Sequence, residues 1–238
     1  FPELEKLVPT LHLAVVYAML LELPGASQIA SCHLTHLTSL LEKASKGRYG
    51  KHHAEIIRDT ARKSVGSVMP AKSMELRHTI RLIGELSAEI NEIEADIKRI
   101  MDLLQPPILS IPGISFRLGA MILAEIGDLS LFNSPDKLLA FAGCSPSTYQ
   151  SGQLTGSYAH MEKRGSRYLR YALYNAAKYV CHWDANFAAY LAKKRAEGKH
   201  YNVAISHAIK KLVRLIFALQ RSGHCLLYTS PSPRDGLL

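Results

Sequence analysis

The most regular pattern of apolar positions in the chain lies between residues 72 and 105. Two interleaved series with a period of seven residues run through it: Leu76, Ile83, Ile90, Ile97 and Leu104, and Thr79, Leu86, Ile93 and Ile100. Spacings of three and four residues place both series on one side of a helix, as in a coiled coil. The pattern predicts a long helix whose apolar seam is covered by a partner helix, either from the same chain or from another copy.

Charged residues flank this seam. The acidic ones are Glu85, Glu89, Glu92, Glu94, Asp96 and Asp102, and the basic ones are Arg81, Lys98 and Arg99. Opposite charges three or four residues apart on a helix form solvated ion pairs. A two-metal centre instead needs carboxylates that converge in a sheltered site. We therefore expect ion pairs here and no metal centre.

The region before residue 70 is predicted to form short amphipathic helices, which Pro2, Pro9, Pro24 and Gly47 interrupt. Residues 43–53 are basic, and we interpret them as a solvated loop in preference to a nucleic-acid contact. The histidines of this region do not have the spacing of metal ligands.

A second set of helices is predicted after the long one. Residues 106–107 are both proline and are predicted to end the long helix. A turn over 109–113 precedes a helix over 115–126 that Gly127 stops, and Ser134-Pro135-Asp136 has the form of another helix start. Three further helices are predicted over 167–180, 186–196 and 202–221. The predicted fold class is therefore mainly α.

The last of these helices is amphipathic and basic. Its apolar stripe consists of Ile205, Ile209, Leu212, Ile216 and Leu219. The stripe predicts a buried face. Beside it, Lys210, Lys211 and Arg214 are candidate nucleic-acid-binding residues, although solvated surface cations explain them equally well.

Residues 138–170 hold the candidate chemistry. After Gly143, small turn-forming residues predict a loop that lifts its hydroxyl groups clear of any regular element. These hydroxyls belong to Ser145, Ser147, Thr148 and Ser151, and the basic segment that follows contains Lys163, Arg164, Gly165, Arg167 and Arg170. Glycine lets a backbone approach a phosphate, and arginine offers paired donors to its oxygens. The pattern suits phosphodiester chemistry, whereas composition alone favours a solvated polar loop before a basic helix.

Charge narrows the class of partner. The chain has 29 Lys and Arg against 20 Asp and Glu, a net charge of +9. Residues 158–221 hold 13 of these basic residues and only 3 of the acidic ones. A concentrated positive field favours a polyanion such as DNA or RNA, because neutralised phosphates release counterions. An anionic membrane surface is the weaker alternative.

The cysteines and the hydropathy indicate the compartment. The four cysteines are scattered without a CxxC spacing, which argues against a zinc site and a disulfide framework. No apolar run is long enough to span a bilayer, and no charged-then-apolar leader opens the chain. We expect a cytoplasmic protein without a membrane partner.

Five segments follow one another in a recognisable order. They are IPGIS (111–115), AEIGDLSLFNSPDKLLAFAG (124–143), SPSTYQSG (145–152), EKRGSRYLRYALYNAA (162–177) and KKRAEGKHYNVAISHAIKKLVRLIFAL (193–219). This order resembles the C-terminal half of the IS one-ten family of bacterial insertion-sequence transposases, also described as bridge-RNA-guided recombinases. The resemblance covers about residues 1–223, and its most specific part is YQSG followed by KRGSRYLR.

The resemblance implies a DNA recombinase with two catalytic parts. One is a RuvC-like nuclease domain with four acidic residues at the N-terminus, and the other is a C-terminal transposase domain with a catalytic serine. On that pattern the serine falls on Ser151, ahead of the basic segment 163–170, whereas the residues alone do not separate Ser151 from Ser145 or Ser147. DNA and a guide RNA are the implied partners. Mg²⁺ is implied for the full-length protein, and no cofactor is expected in this chain.

The chain also departs from the family pattern. Where the family pattern reads IPGIG, this chain has Ser115 in place of the last glycine. The motif lies in a hairpin that resembles the helix-hairpin-helix clamp of the DNA backbone. This resemblance makes Gly113 a candidate phosphate contact. Glu162 replaces a serine that many members carry before Lys-Arg-Gly. The acidic nuclease domain is not matched and the chain begins with Phe1, so we expect a fragment.

The predicted domains follow from these patterns. Residues 1–70 form a helical segment after the absent RuvC-like domain, 71–106 the coiled-coil helix and 107–223 the transposase domain. Residues 224–238 abandon every earlier pattern, and we predict a non-native disordered tail there.

The leading functional hypothesis is a fragment of a DNA transposase that binds nucleic acid and is inactive alone. The alternatives are a non-catalytic nucleic-acid-binding module and an oligomerisation scaffold built on the heptad helix.

Overall fold

The computed structural model describes residues 1–147 and 160–226, together with the backbone of residues 150–151 and 154–155. The described chain is mainly helical, so the predicted fold class is confirmed. It divides into two compact units, Phe1–Glu92 and Ile93–Leu238.

The first unit is a small helical bundle. Its elements are a 3-10 helix at Pro2–Lys6 and the helices α1 (Ala14–Glu22), α2 (Ala26–Ser31), α3 (Leu34–Ser45) and α4 (Lys51–Arg62). Met19, Ile29 and Leu37 are fully buried in its core. The loop predicted over 43–53 is wrong at both ends, because α3 continues to Ser45 and α4 begins at Lys51.

Helix α5 (Pro70–Leu104) is the long helix that the heptad pattern predicted. Ile80 and Met101 are buried, but much of the seam is open: Leu86 is 62% exposed, Ile90 54% and Ile93 57%. The helix is therefore confirmed, and the partner helix stays a prediction.

The charges along α5 form the expected ion pairs. Lys98 lies 2.7 Å from Asp102, and Arg99 lies 3.2 Å from Asp96. Glu94 departs from this pattern, because it pairs with Arg117 on the next helix of the second unit.

The second unit begins within α5 and continues with 3-10 helices at Pro107–Ser110 and Leu129–Leu131. Its other elements are α6 (Phe116–Ile126), α7 (Pro135–Phe141), β1 (Gln150–Ser151), β2 (Leu154–Thr155), α8 (Arg167–Trp183), α9 (Ala185–Ala196) and α10 (Tyr201–Ser222). Its core lies between α8 and α10, where Leu169, Leu173, Ile205 and Ile209 are buried. The stripe predicted for the last helix is thus confirmed as a buried face.

Side chains at the helix starts explain several boundaries. The Ser134 hydroxyl accepts a hydrogen bond from the Lys137 N–H, which confirms the predicted start of α7. Ser115, the departure from the family pattern, caps α6 in the same way through the Leu118 N–H. Gly127 follows the last residue of α6 with φ +63°, as expected for a residue that ends a helix.

The C-terminal prediction is tested only at its beginning. The Leu226 N–H donates to the Ser110 hydroxyl at 2.7 Å. Residues 227–238 lie outside the described residues, so the disordered tail stays a prediction, as do the three boundaries between the four predicted domains. Within the described ranges, no helix is both long and apolar enough to cross a membrane.

Candidate nucleic-acid interface

The predicted serine loop is closed at its base by a ladder of backbone hydrogen bonds. The Ser147 N–H donates to the His160 carbonyl at 2.7 Å, and the Glu162 N–H donates to the Ser145 carbonyl at 3.0 Å. Closer to the helices, the Ser166 N–H donates to the Phe141 carbonyl at 2.8 Å. The segments 141–147 and 160–166 are therefore hydrogen-bonded to each other and support the loop between them.

Above this ladder, the chain continues as a short hairpin. Strands β1 and β2 pair antiparallel, with Gln150 opposite Thr155 and Ser151 opposite Leu154. The prediction of serines clear of any regular element is therefore wrong for the backbone of Ser151, which lies in β1, whereas Ser145 and Ser147 lie in no helix or strand. Strands this short carry too few alternating positions to be recognised by periodicity. Thr148 and the Ser151 side chain lie outside the described residues.

Two glycines allow the ladder to close. A Cβ on Gly165 would lie 2.1 Å from the Phe141 carbonyl oxygen, and one on Gly143 would lie 2.6 Å from the Arg164 oxygen. Both residues also have positive φ, +125° and +65°. Only glycine fits such positions. Gly165 thus has a packing role, and its predicted contact with nucleic acid stays a prediction.

Arg170 holds the same support together. One terminal nitrogen of its guanidinium donates to the carbonyl of Ala142 at 3.1 Å and to that of Lys163 at 3.2 Å. The side chain is half-buried. Sequence reasoning assigned Arg170 to phosphate binding, and the structure adds a role in positioning the chain beneath the hairpin.

The Ser147 hydroxyl has partners within the ladder. It accepts from the His160 N–H at 3.1 Å and lies 3.1 Å from the Nδ1 atom of the same ring. Because His160 contacts the Ser147 hydroxyl oxygen at two points, the ladder fixes the position of that oxygen. The choice of Ser151 over Ser147 and Ser145 continues to rest on the family pattern.

The start of α8 is joined to the same ladder through Ser166. The Ser166 hydroxyl accepts from the Leu169 N–H at 3.0 Å and donates to Glu125 at 2.6 Å. Glu125 therefore has a structural partner in this segment. Asp128 caps the following turn, and the hydrogen bonds from Ser130 hold the pKa of its carboxyl below the ordinary value.

The exposed cations near this point are Lys163, Arg164 and Arg167. The Arg167 guanidinium carbon lies 4.7 Å from the centre of the Tyr168 ring, and its terminal nitrogen donates to the Tyr168 hydroxyl. The predicted basic segment is thus brought together with the hairpin base. Their contact with nucleic acid stays a prediction.

The three basic candidates of α10 each have a partner within the unit. Lys210 and Arg214 lie 3.9 and 3.5 Å from the carboxylate of Asp136. The ammonium of Lys211 lies 4.7 Å from the ring centre of Phe187, in a cation–π contact. These intramolecular contacts are a third explanation for cations that the sequence assigned to phosphate or to solvent.

Gly113, in the turn before α6, packs against another part of α8. A Cβ there would be 2.7 Å from the carbonyl carbon of Tyr179, and φ is +89°. Glycine is therefore required for the close packing of the turn against α8. The phosphate contact predicted for it stays a prediction.

Cys144 lies beside the hairpin base but is a poor nucleophile. Burial raises the pKa of its thiol to about 11, against the lowering effect of Arg170. The thiol is protonated at neutral pH, and the thiolate is the reactive form. Hydroxyl groups are therefore the candidate nucleophiles of this region.

A metal site requires several donor side chains that converge on one point. Within residues 1–147 and 160–226, no group of three or more His, Cys, Asp or Glu side chains is placed to hold a metal ion. The described donors therefore do not fit the Mg²⁺ that the resemblance implies for the full-length protein.

Sequence reasoning missed one surface of α8. Tyr171, Tyr179 and Trp183 are 63%, 53% and 66% exposed and succeed one another on one face of the helix. Their spacing of four and eight residues was visible in the sequence. The exposure of these rings could not be predicted from the sequence, because aromatic residues at helical spacing usually belong to a core.

Comparison with known proteins supports the motif analysis. The sequence model described as "Transposase IS116/IS110/IS902 family" matches residues 105–192. A 43.6 kDa protein of insertion element IS110 from Streptomyces coelicolor is 29% identical over 134 residues, which are 55% of this chain and 33% of that protein. A 42 kDa protein of insertion element IS900 from Mycobacterium paratuberculosis is 30% identical over 161 residues, 65% of this chain and 40% of that protein.

A third relative is a 44.8 kDa protein of insertion element IS116 from Streptomyces clavuligerus. It is 32% identical over 126 residues, which are 53% of this chain and 31% of that protein. The chain thus spans between 31% and 40% of the length of the curated relatives it matches. The segment that supports the serine hairpin lies within the matched range, and residues 105–192 are thus similar to the IS116/IS110/IS902 family of transposases.

Proposed function

We propose that this chain is part of a bacterial insertion-sequence recombinase that cuts and rejoins DNA, with Ser151 as the nucleophile. The observation that carries the proposal is the hairpin strand of Ser151, which stands on a ladder tied to the basic start of α8. Such a support fixes the position of a reacting group, and positioning is a major part of phosphoryl-transfer catalysis.

The proposed reaction has two displacement steps. In the first, the Ser151 oxygen forms a bond to the scissile phosphorus, the serine proton is lost, and a DNA hydroxyl leaves with a proton. In the second, the hydroxyl oxygen of another DNA end forms a bond to the same phosphorus and loses its proton, while the bond from phosphorus to the Ser151 oxygen breaks and the serine hydroxyl takes up a proton. The exposed cations Lys163, Arg164 and Arg167 bind the phosphate oxygens on which charge develops.

A serine hydroxyl needs activation, because it is a weak nucleophile at neutral pH. The side chains described here supply cations and no metal site. In the full-length protein, Mg²⁺ on the acidic domain implied by the resemblance would supply that help. We therefore propose that the 238-residue chain binds DNA but does not recombine it by itself.

A guide RNA and a second copy of the chain complete the proposed assembly. The guide RNA rests on the family resemblance. The second copy is supported by the seam of α5, where Leu86, Ile90 and Ile93 are more than half exposed. Two such helices packed together bury these side chains, as in a two-stranded coiled coil.

The decisive experiment looks for a covalent bond between protein and DNA. The chain is joined to the acidic domain of a relative and given the element ends and guide RNA of that relative. We expect a protein–DNA adduct that disappears with Ser151→Ala and persists with the matched variants Ser145→Ala and Ser147→Ala. An adduct that survives Ser151→Ala contradicts the proposal.

Binding by the chain alone separates the alternative functions. Contacts with phosphates release counterions, so the affinity for DNA should fall steeply as salt is raised. Weak binding that is insensitive to salt favours an oligomerisation scaffold. Salt-sensitive binding without an adduct in the joined protein favours a non-catalytic binding module.

A further inference from the structure

The aromatic groove of α8 is a surface that the serine chemistry does not use. Tyr171, Tyr179 and Trp183 form one wall, and Ile114 and Met121 contribute to the other. The groove has a volume of about 710 Å³. This is within the range of sites that bind small organic groups, to which a nucleobase belongs.

The three rings are unusually open for their size. A buried tyrosine or tryptophan ring contributes much of the energy of a core or an interface, yet all three are more than half exposed here. Tyr171 and Trp183 are twelve residues apart, which is about 18 Å along a helix. That length corresponds to about five stacked nucleotides at about 3.4 Å each.

Charge indicates which partner covers the groove. Helix α8 contains Arg167, Arg170 and Lys178 and has no Asp or Glu in its sequence. Arg117 lies on the other wall, where its charge is offset by the ion pair with Glu94. The wall of rings therefore belongs to a positively charged helix, which complements an anionic partner.

Aromatic faces and cations together suit an unpaired strand. Bases stack on aromatic side chains while cations follow the phosphates, and the faces of the bases are available only when the strand is not in a duplex. The apolar seam of α5 is different, since it carries Leu and Ile residues that suit another helix. The two exposed surfaces thus favour different partners.

We propose that the groove binds single-stranded DNA, with bases stacked on Tyr171, Tyr179 and Trp183. The choice of DNA over RNA rests on the proposed function, because cutting and exchange of strands leave DNA unpaired near the hairpin. The stacking itself rests on the rings and the charge of α8.

The single tryptophan of the chain, Trp183, makes the test direct. Short single-stranded DNA is titrated into the 238-residue chain while the tryptophan fluorescence is recorded, and duplex DNA and single-stranded RNA of the same sequence are titrated in parallel. We expect quenching by single-stranded DNA, because a stacked base lies against the indole ring. The absence of quenching overturns the proposal.

Variants test whether the rings supply affinity. Tyr171→Ala and Trp183→Ala should each weaken binding of single-stranded DNA about tenfold and that of duplex DNA less than about twofold. Trp183→Phe should retain most of the affinity. Tyr201→Ala is the matched control, since Tyr201 is an exposed tyrosine of α10 outside the groove. Circular dichroism verifies that each variant is folded.

Three results overturn the inference: equal losses for single-stranded and duplex DNA, variants that bind as the parent does, or tighter binding of RNA than of DNA through the same rings. The covalent-adduct experiment is independent of this one. An adduct without tryptophan quenching removes the groove proposal alone, and quenching without an adduct removes the serine proposal alone.

Discussion

Helices α5 and α10 both carry a regular apolar stripe, but they differ in what covers it. On α10, Ile205, Leu212 and Ile216 are completely buried. On α5, Leu86 and Ile93 are more than half exposed, although its heptad pattern is the more regular of the two. Periodicity therefore identifies the side of a helix that avoids water and does not identify the partner that covers it.

The difference has an energetic consequence. Burial of a Leu or Ile side chain contributes about 1.5–3 kcal/mol. The α10 stripe makes that contribution within the chain, whereas the exposed α5 residues make it only when another helix packs against them. The same pattern thus supports folding in one helix and favours association in the other.

The largest expected effect is on the free energy of unfolding. Leu212→Ala removes buried methyl groups and leaves a cavity, and should lower that free energy by about 2–5 kcal/mol. Leu86→Ala, its matched control on α5, should change the stability of the isolated chain by less than about 0.5 kcal/mol. Urea titrations followed by circular dichroism measure both, and similar losses would show that Leu86 is already covered.

The second prediction concerns association through α5. Ile90→Asn with Ile93→Asn should raise the dissociation constant of the dimer more than about tenfold, because two apolar contacts are lost from each helix. Ala88→Asn with Ala95→Asn places the same polar groups on the outer face of the helix and should have little effect. Sedimentation equilibrium measures the constants. A parent chain that stays monomeric at high concentration rules out a second copy as the cover.

The smallest expected effect concerns the stability of helix α5 itself, at a position outside its apolar seam. A Cβ on Gly84 meets nothing within 4 Å, and the residue is exposed in the middle of α5. Gly84→Ala should therefore raise the stability of the helix by about 0.5–1 kcal/mol, since alanine loses less backbone entropy on folding. Thermal unfolding measures the change, and a decrease would indicate that a neighbour approaches Gly84 closely.

Much of the helical fold could be predicted from local sequence. Ser134-Pro135-Asp136 marked the start of α7, and Gly127 marked the end of α6, because the physical reasons for these boundaries lie within a few residues. The predicted last helix was within one residue of α10 at each end, 202–221 against Tyr201–Ser222. The candidate serine segment was also found from its motifs.

The support of that segment could not be predicted in the same way. Arg170 binds the carbonyl of Ala142, and Gly165 fits against Phe141, so both depend on contacts between distant parts of the chain. A guanidinium that binds two carbonyls has the same sequence signature as one that binds a phosphate. Lys211, which lies over the ring of Phe187, is a further example.

The ladder at the hairpin base brings Ser147 and His160 together through a backbone hydrogen bond of 2.7 Å. The chain thus leaves the helical domain and returns to it at nearly the same place. Residues 148–159 can then be exchanged for the corresponding stretch of a relative as a cassette, with the graft points at 147 and 160. We expect such an exchange to leave the helices beneath unchanged, because this hydrogen bond holds both graft points together.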